Sequence, residues 1–163
     1  MRKIVMVILI LVAHNLMADP FGNFKKIPKQ YQSICQEIQI HYNVSDWLLA
    51  SVPFVESSWN KNAISYANCR GLMQISAEYE DYFVDRYWKN NSIIKNEVFN
   101  VWNGEHCLVL GFAYLSDLIN RFGSVELGLC AFNCGSGRTA RRSIPEETID
   151  YIVKIKNMRV SKL

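Results

Sequence analysis

Apolar positions recur along this chain at intervals of three and four, and nowhere do they alternate long enough to argue for a strand. Tyr31, Ile34, Ile38 and His41 predict a helix over about 30–42. Ser45 is placed to cap a second over 46–57. Leu108, Gly111, Phe112, Leu115, Leu118, Ile119 and Phe122 share one helical face, and Gly123 stops that helix. The run 125–132 is apolar all round, which predicts a buried central helix. Pro145 fits a first helical position. Glu146 and Glu147 follow it, and Lys154, Lys156 and Arg159 come late, as the helix dipole favours. Tyr79, Tyr82, Phe83, Tyr87 and Trp88 form an aromatic stripe on a further helix. Its ordinary role is core packing; its sharper one is sugar stacking at a cleft wall. The fold class is all-α, in one domain without an internal linker.

The N-terminus reads differently. Arg2 and Lys3 precede an apolar run from Ile4 to Val12, about half of what a bilayer-spanning helix needs. A short positive flank, a short apolar stretch and a cut near Ala18 describe a secretory signal peptide. Residues 1–18 are therefore expected to leave, and 19–163 to form the domain. The 163 residues are 50% apolar and 20% charged, which excludes a disordered chain. The formal charge of +3 falls to about +1 once Arg2 and Lys3 are removed, so a nucleic-acid partner is not expected. An exported chain meets an oxidising compartment, where Cys35, Cys69, Cys107, Cys130 and Cys134 could form disulfides. Five is odd, so one thiol stays free or pairs with another chain. Cys130 and Cys134 lie badly for a bridge on one helix, and Cys35 with Cys107 is the pairing favoured. With no C-x-x-C, and only His41 and His106 left after processing, neither a metal nor a cofactor is expected.

Glu56 is the candidate for chemistry. Leu48, Val52 and Val55 put it at the edge of an apolar stripe, near a helix C-terminus. Burial and the dipole both raise the pKa of a carboxyl so placed, as a general acid near neutral pH requires.

Four blocks sharpen this reading. Glu56-Ser57-Ser58-Trp59-Asn60 with Gly71-Leu72-Met73-Gln74-Ile75, then Gly111-Phe112-Ala113-Tyr114-Leu115, then Ala131-Phe132-Asn133-Cys134-Gly135, then Glu147-Thr148-Ile149-Asp150-Tyr151-Ile152, resemble in order the soluble lytic transglycosylases. The resemblance spans about 44–155. It implies a lysozyme-like fold with a substrate cleft. It also implies cleavage of the β-1,4 bond between N-acetylmuramic acid and N-acetylglucosamine in peptidoglycan, leaving a 1,6-anhydro end. By the same resemblance Glu56 is the sole catalytic acid and base. Ser57, Met73, Gln74, Tyr114 and Asn133 become substrate-binding positions, and Tyr151 reaches towards the glutamate. Periplasmic location follows, and analogy with small relatives suggests service to a secretion or conjugation apparatus. A hydrolytic muramidase and a weakly active glycan-binding module stay open beside it.

The residues agree with the resemblance on one point. A two-carboxylate glycosidase needs a second acid about 5 to 9.5 Å away, and 57–77 holds no Asp or Glu. The nucleophile then has to come from elsewhere, and the substrate's own 2-acetamido oxygen can supply it. The sequence also departs from the family. Phe132 stands for its usual Tyr, Cys134 for Ala, Ser76-Ala77 for Met-Pro and Cys107 for a common Asn. The stretch 78–106 is longer than usual, and Pro53 interrupts the helix that carries Glu56.

Overall fold

A computed structural model describes residues 23–160; the expected leader, 1–18, lies outside them. The helices are α1 (Gln32–Tyr42), α2 (Asp46–Ser57), α3 (Glu80–Phe83), α4 (Gly104–Phe122), α5 (Val125–Cys134), α6 (Ser136–Ala140) and α7 (Glu146–Val160). Between α2 and α3 two very short strands, β1 (Cys69–Arg70) and β2 (Ile75–Ser76), pair antiparallel, Cys69 opposite Ser76. Two residues are too few to leave an alternating pattern, so the ribbon is invisible to periodicity. Among the described residues no helix is long and apolar enough to cross a membrane.

The central element is α4. Leu108, Val109, Leu110, Phe112, Leu115 and Leu118 on it are buried and join Leu48, Leu49 and Val52 of α2 in one core. It starts four residues before the expected Leu108. The Asn103 side chain accepts the N–H groups of Glu105 and His106 there, a cap the hydrophobic spacing does not reveal. It ends as expected, with Gly123 in the left-handed region at φ 76°. Ser45 holds the N-cap position of α2, but its hydroxyl makes no capping bond.

Helix α5 runs to Cys134 and is not buried all round. Gly128, Leu129, Cys130 and Ala131 face inward, whereas Leu127 is 42% exposed. One side packs against α4, where a Cβ on Gly128 would come within 2.5 Å of Ile119, and that leaves Leu127 on the outer side. The aromatic helix widens after Phe83 into a π-helical turn, Val84–Trp88. The long segment after it is pinned at three points. Trp88 Nε1 donates to the Glu97 carbonyl (2.8 Å), Asn91 Nδ2 to the Tyr42 hydroxyl (2.6 Å), and the Asn100 N–H to His106 Nδ1 (3.2 Å). With Nδ1 accepting, His106 Nε2 donates to the Glu97 carboxylate at 2.9 Å.

The five thiols are all free, which corrects the Cys35–Cys107 pairing. Cys107 points instead at the turn between the strands. Its sulfur accepts the Met73 N–H at 3.3 Å, and a Cβ on Gly71 would sit 2.9 Å from it. Burial pushes both Cys35 and Cys107 up to about 12, so they stay protonated.

Gly111 explains one of the sequence blocks. A Cβ there would lie 2.6 Å from Cβ and Cγ of Met73, so α4 and the β1–β2 turn approach this closely only over glycine. Gly111→Ala is expected to destabilise the chain by about 1–3 kcal/mol through overpacking. Urea unfolding checks this, and an unchanged midpoint would show that the contact yields freely.

Candidate functional site

A cleft of about 810 Å³ opens between the β1–β2 ribbon, α3 with its π turn, α4 and α5. Glu56 enters it from the last turn of α2. That helix is sealed by the Ser58 N–H to the Phe54 carbonyl (2.8 Å) and the Trp59 N–H to the Pro53 carbonyl (3.3 Å). Ser58 and Trp59 adopt left-handed φ values of 53° and 62°, which reverse the chain directly after the glutamate. Trp59 is held there by stacking on Tyr31, with ring centroids 5.7 Å apart. Pro53 is accommodated inside a helix that continues to Ser57.

Burial pushes the Glu56 carboxyl up from 4.5 to about 7. No cation offsets this. The opposing influence is the Tyr151 hydroxyl, which steadies the carboxylate and lowers the value. Tyr151 rises from α7 beneath the cleft and is itself 7% exposed. Its hydroxyl lies beside the carboxyl but short of a well-formed hydrogen bond. Burial first, and then the charge of Glu56, push the Tyr151 hydroxyl well above its ordinary value, so it remains a donor.

The cleft brings together most of the residues the sequence pointed to. Met73, Gln74, Tyr114 and Asn133 line it with Glu56. Gln74 sits at φ 48°, and its side-chain amide N–H turns back to the Gly71 carbonyl (3.1 Å). The Asn133 carbonyl oxygen accepts from the Thr148 hydroxyl at 2.7 Å, so a buried threonine of α7 orients it. Ser57 is not in the lining. Its hydroxyl lies 3.0 Å from the carbonyls of Pro53 and of Leu72, so it ties the end of α2 to the β1–β2 turn. Tyr151 likewise lies behind the wall.

The aromatic stripe forms one side of the cleft, contrary to its ordinary role as core. Tyr79, Tyr82, Phe83 and Tyr87 line it, while Trp88 alone is buried. Phe83 meets Tyr114 at 4.7 Å between centroids, and Tyr114 meets Phe132 at 5.6 Å, so the wall is continuous with α4 and α5. Sequence reasoning missed Ser65, Cys69, Ser136 and Arg121, which also line the cleft. The polar and charged ends of helices and loops carry no hydrophobic period that would reveal them. Glu56 is the sole carboxylate among the lining residues.

In this chain an all-α domain delivers one proton-holding glutamate into an aromatic cleft, and the family model that matches it is the Transglycosylase SLT domain. The chain belongs to that family, whose model matches residues 33–150. Among its relatives, "Membrane-bound lytic murein transglycosylase C" of Mannheimia succiniciproducens is 26% identical over 136 residues, covering 79% of this chain and 37% of that protein. The protein of the same name in Actinobacillus pleuropneumoniae serotype 5b is 25% identical over 122 residues, 71% of this chain and 33% of its own. The chain thus spans about a third of the length of these curated relatives. Among solved structures, an inactive mutant of the lytic transglycosylase Slt from Pseudomonas aeruginosa superposes with a TM-score of 0.67 at 17% identity, over 82% of this chain and 24% of that one. The 70 kDa soluble lytic transglycosylase of Escherichia coli gives 0.67 at 19%, over 79% and 23%. These likenesses show the lysozyme-like helical fold.

The raised carboxyl has a consequence for stability. The folded chain holds the Glu56 proton up to about pH 7, whereas the unfolded chain releases it near 4.5. Its contribution to stability is therefore fully present below about pH 4.5 and is lost as pH rises through about 7. Glu56→Gln removes this dependence. Relative to wild type, the variant is expected to gain on the order of 2–3 kcal/mol across that window. Urea unfolding of both proteins across the window measures the gain, and a constant difference would mean that the carboxyl is well solvated.

Proposed function

We propose that this chain is a peptidoglycan lytic transglycosylase, cleaving the β-1,4 bond between N-acetylmuramic acid and N-acetylglucosamine and leaving a 1,6-anhydromuramic end. The observation that carries the reading is a single carboxyl, protonated near neutral pH, in a cleft with no second carboxylate among the described residues and a wall of aromatic rings. The rings suit the apolar faces of pyranoses, and the amides of Gln74 and Asn133 suit the acetamido and hydroxyl groups between them.

Glu56 gives its proton to the glycosidic oxygen as the bond from the anomeric carbon breaks. The 2-acetamido oxygen of the muramic residue attacks that carbon and holds it as an oxazolinium ion. Glu56, now anionic, takes the proton of the muramic 6-hydroxyl. That oxygen displaces the acetamide and closes the anhydro ring, so the carboxyl ends protonated as it began. Tyr151, below the wall, steadies the anionic stage from outside the sugar path. Neither metal nor cofactor takes part. Gln74, Tyr114 and Asn133 hold the strand, the fully buried Met73 supports the cleft floor from beneath, and Ser57 fixes the backbone that presents Glu56.

The signal-like N-terminus supports an exported chain acting in the periplasm, with 19–163 as the working domain. The glycan strand is the partner proposed. A secretion or conjugation apparatus finds no support in the relatives or in the fold.

Digestion of purified peptidoglycan followed by mass spectrometry of the products tests this. Wild type is expected to leave ends one water lighter than hydrolysis would. Glu56→Gln is expected to lose roughly a hundred- to ten-thousand-fold in rate, because an amide cannot give and recover the proton. Hydrolysed ends would make the chain a muramidase. Binding without cleavage would make it a glycan-binding module.

A further inference from the structure

Among the described residues, two formally charged side chains line the cleft: Glu56, and Arg121 in the last turn of α4. We propose that Arg121 is a specificity-determining residue that recognises a carboxylate on the bound glycan strand, a role that rests on the function proposed above. Its guanidinium donates from Nη2 to Asp117 Oδ2 at 2.8 Å, one helical turn back. The same Asp117 oxygen accepts from the Tyr87 hydroxyl at 2.8 Å, and Arg86 Nε donates to that hydroxyl at 3.1 Å. Asp117 is thus shared between two donors, and the Arg121 fork is anchored through one nitrogen. The side chain is still 45% exposed, which leaves further N–H groups for a ligand.

Position supports the same role. Tyr114 and Arg121 are seven residues apart on α4, about 10 Å along the helix axis. Both line the cleft; burial raises the pKa of the Tyr114 hydroxyl, and the positive charge of Arg121 is close enough to work against that rise. A sugar resting on the Tyr114–Phe83 surface would therefore put its substituents, or those of its neighbour, within reach of the guanidinium. The fork of an arginine matches a planar carboxylate with two parallel hydrogen bonds, and nothing in a neutral hexosamine can accept in that way. On a peptidoglycan strand this chemistry has two sources: the lactyl carboxylate of a muramic residue stripped of peptide, and the carboxylates of a stem peptide. If Arg121 were only a surface partner of Asp117, it would be indifferent to both.

The test measures binding by calorimetry in a Glu56→Gln chain, which keeps the strand intact, with and without Arg121→Gln or Arg121→Lys. Three probes are used: chitin oligosaccharides, which carry no carboxylate; amidase-stripped glycan, with free lactyl carboxylates; and peptide-bearing glycan. Arg121→Gln is expected to lower the preference for a carboxylated probe over chitin by about tenfold, and Arg121→Lys to restore part of it. The probe whose preference falls identifies the source. An unchanged preference, or an equal loss on all three probes, overturns the proposal. Added salt gives a reading that needs no Arg121 variant. It should erode binding of the carboxylated probe and spare chitin, and equal erosion of both counts against the role. Cleavage by wild type reports separately on the proposed function. Normal anhydro products without any carboxylate preference remove this inference and leave that function standing.

Discussion

A carboxyl taken out of water with no cation to pair it keeps its proton. The rest of the site depends on this desolvation at Glu56, and most of the local architecture serves to maintain it. Helix α2 contributes a buried flank of Leu48, Leu49 and Val52. Helix α7 brings Tyr151 up from below. The chain then reverses through two left-handed residues, so the glutamate ends its helix at the cleft instead of in bulk solvent. A solvated glutamate would be ionised at neutral pH and could not serve as the acid of the proposed reaction. A fully enclosed one could not meet the proposed substrate. Burial with one open side satisfies both demands, and the Tyr151 hydroxyl limits how far the shift goes.

The second constraint is closeness. The β1–β2 turn can form the floor of the cleft only if it lies directly on α4. Gly111 removes the side chain that would hold Met73 away, and Gly71 does the same for the Val101 carbonyl and the Cys107 sulfur. Gln74 accepts a left-handed backbone at the end of this turn, at an order-of-magnitude cost of 1 kcal/mol that the surrounding packing offsets. The departure at Cys107 also becomes intelligible here. At the position where the resemblance expects an asparagine, the protonated thiol accepts the Met73 N–H, so sulfur anchors the turn here. Ser57 completes the arrangement by bonding the Leu72 carbonyl. The floor and the acid are thereby fixed to each other.

How far the sequence discloses this depends on what each residue interacts with. Helices whose apolar faces meet one core show their period, so α1, α2, α4 and α7 are legible, as is the Gly123 stop. Glu56 is legible because a charged residue at the rim of an apolar stripe is a local anomaly. Features set by partners distant in the chain are not legible. The Asn103 cap depends on backbone geometry, and the two-residue strands are too short for any pattern. Ser57 follows the glutamate in a way that suggests contact with substrate, yet its hydroxyl is spent on backbone carbonyls. The aromatic stripe misled for a related reason. Spacing shows that Tyr79, Tyr82, Phe83 and Tyr87 share a face, but not whether that face meets core or cavity. Four of the five rings meet the cavity, because the segment after Trp88 is held away by Glu97, Asn91 and His106.

The two walls of the cleft come from different parts of the chain. The floor and acid side come from the first of the blocks that resemble the family. The opposite wall comes from the stretch 78–106, which lies between the blocks. The join is made by side chains: Phe83 and Tyr87 lie against Tyr114, and Tyr87 bonds Asp117. The wall is also joined to the ribbon beside the acid: Arg70 donates to Glu80 at 2.6 Å, and the Tyr79 N–H donates to the Ser76 carbonyl at 3.2 Å. Tyr114 couples the halves as well. It belongs to the Gly111 block yet packs on both Phe83 and Phe132, so a change in that wall reaches the acid side through this ring too. The loss of a hydroxyl at Phe132 falls on the same ring stack. The Phe132 ring keeps its packing on Tyr114 without a hydroxyl, so the departure from the family pattern leaves the wall intact.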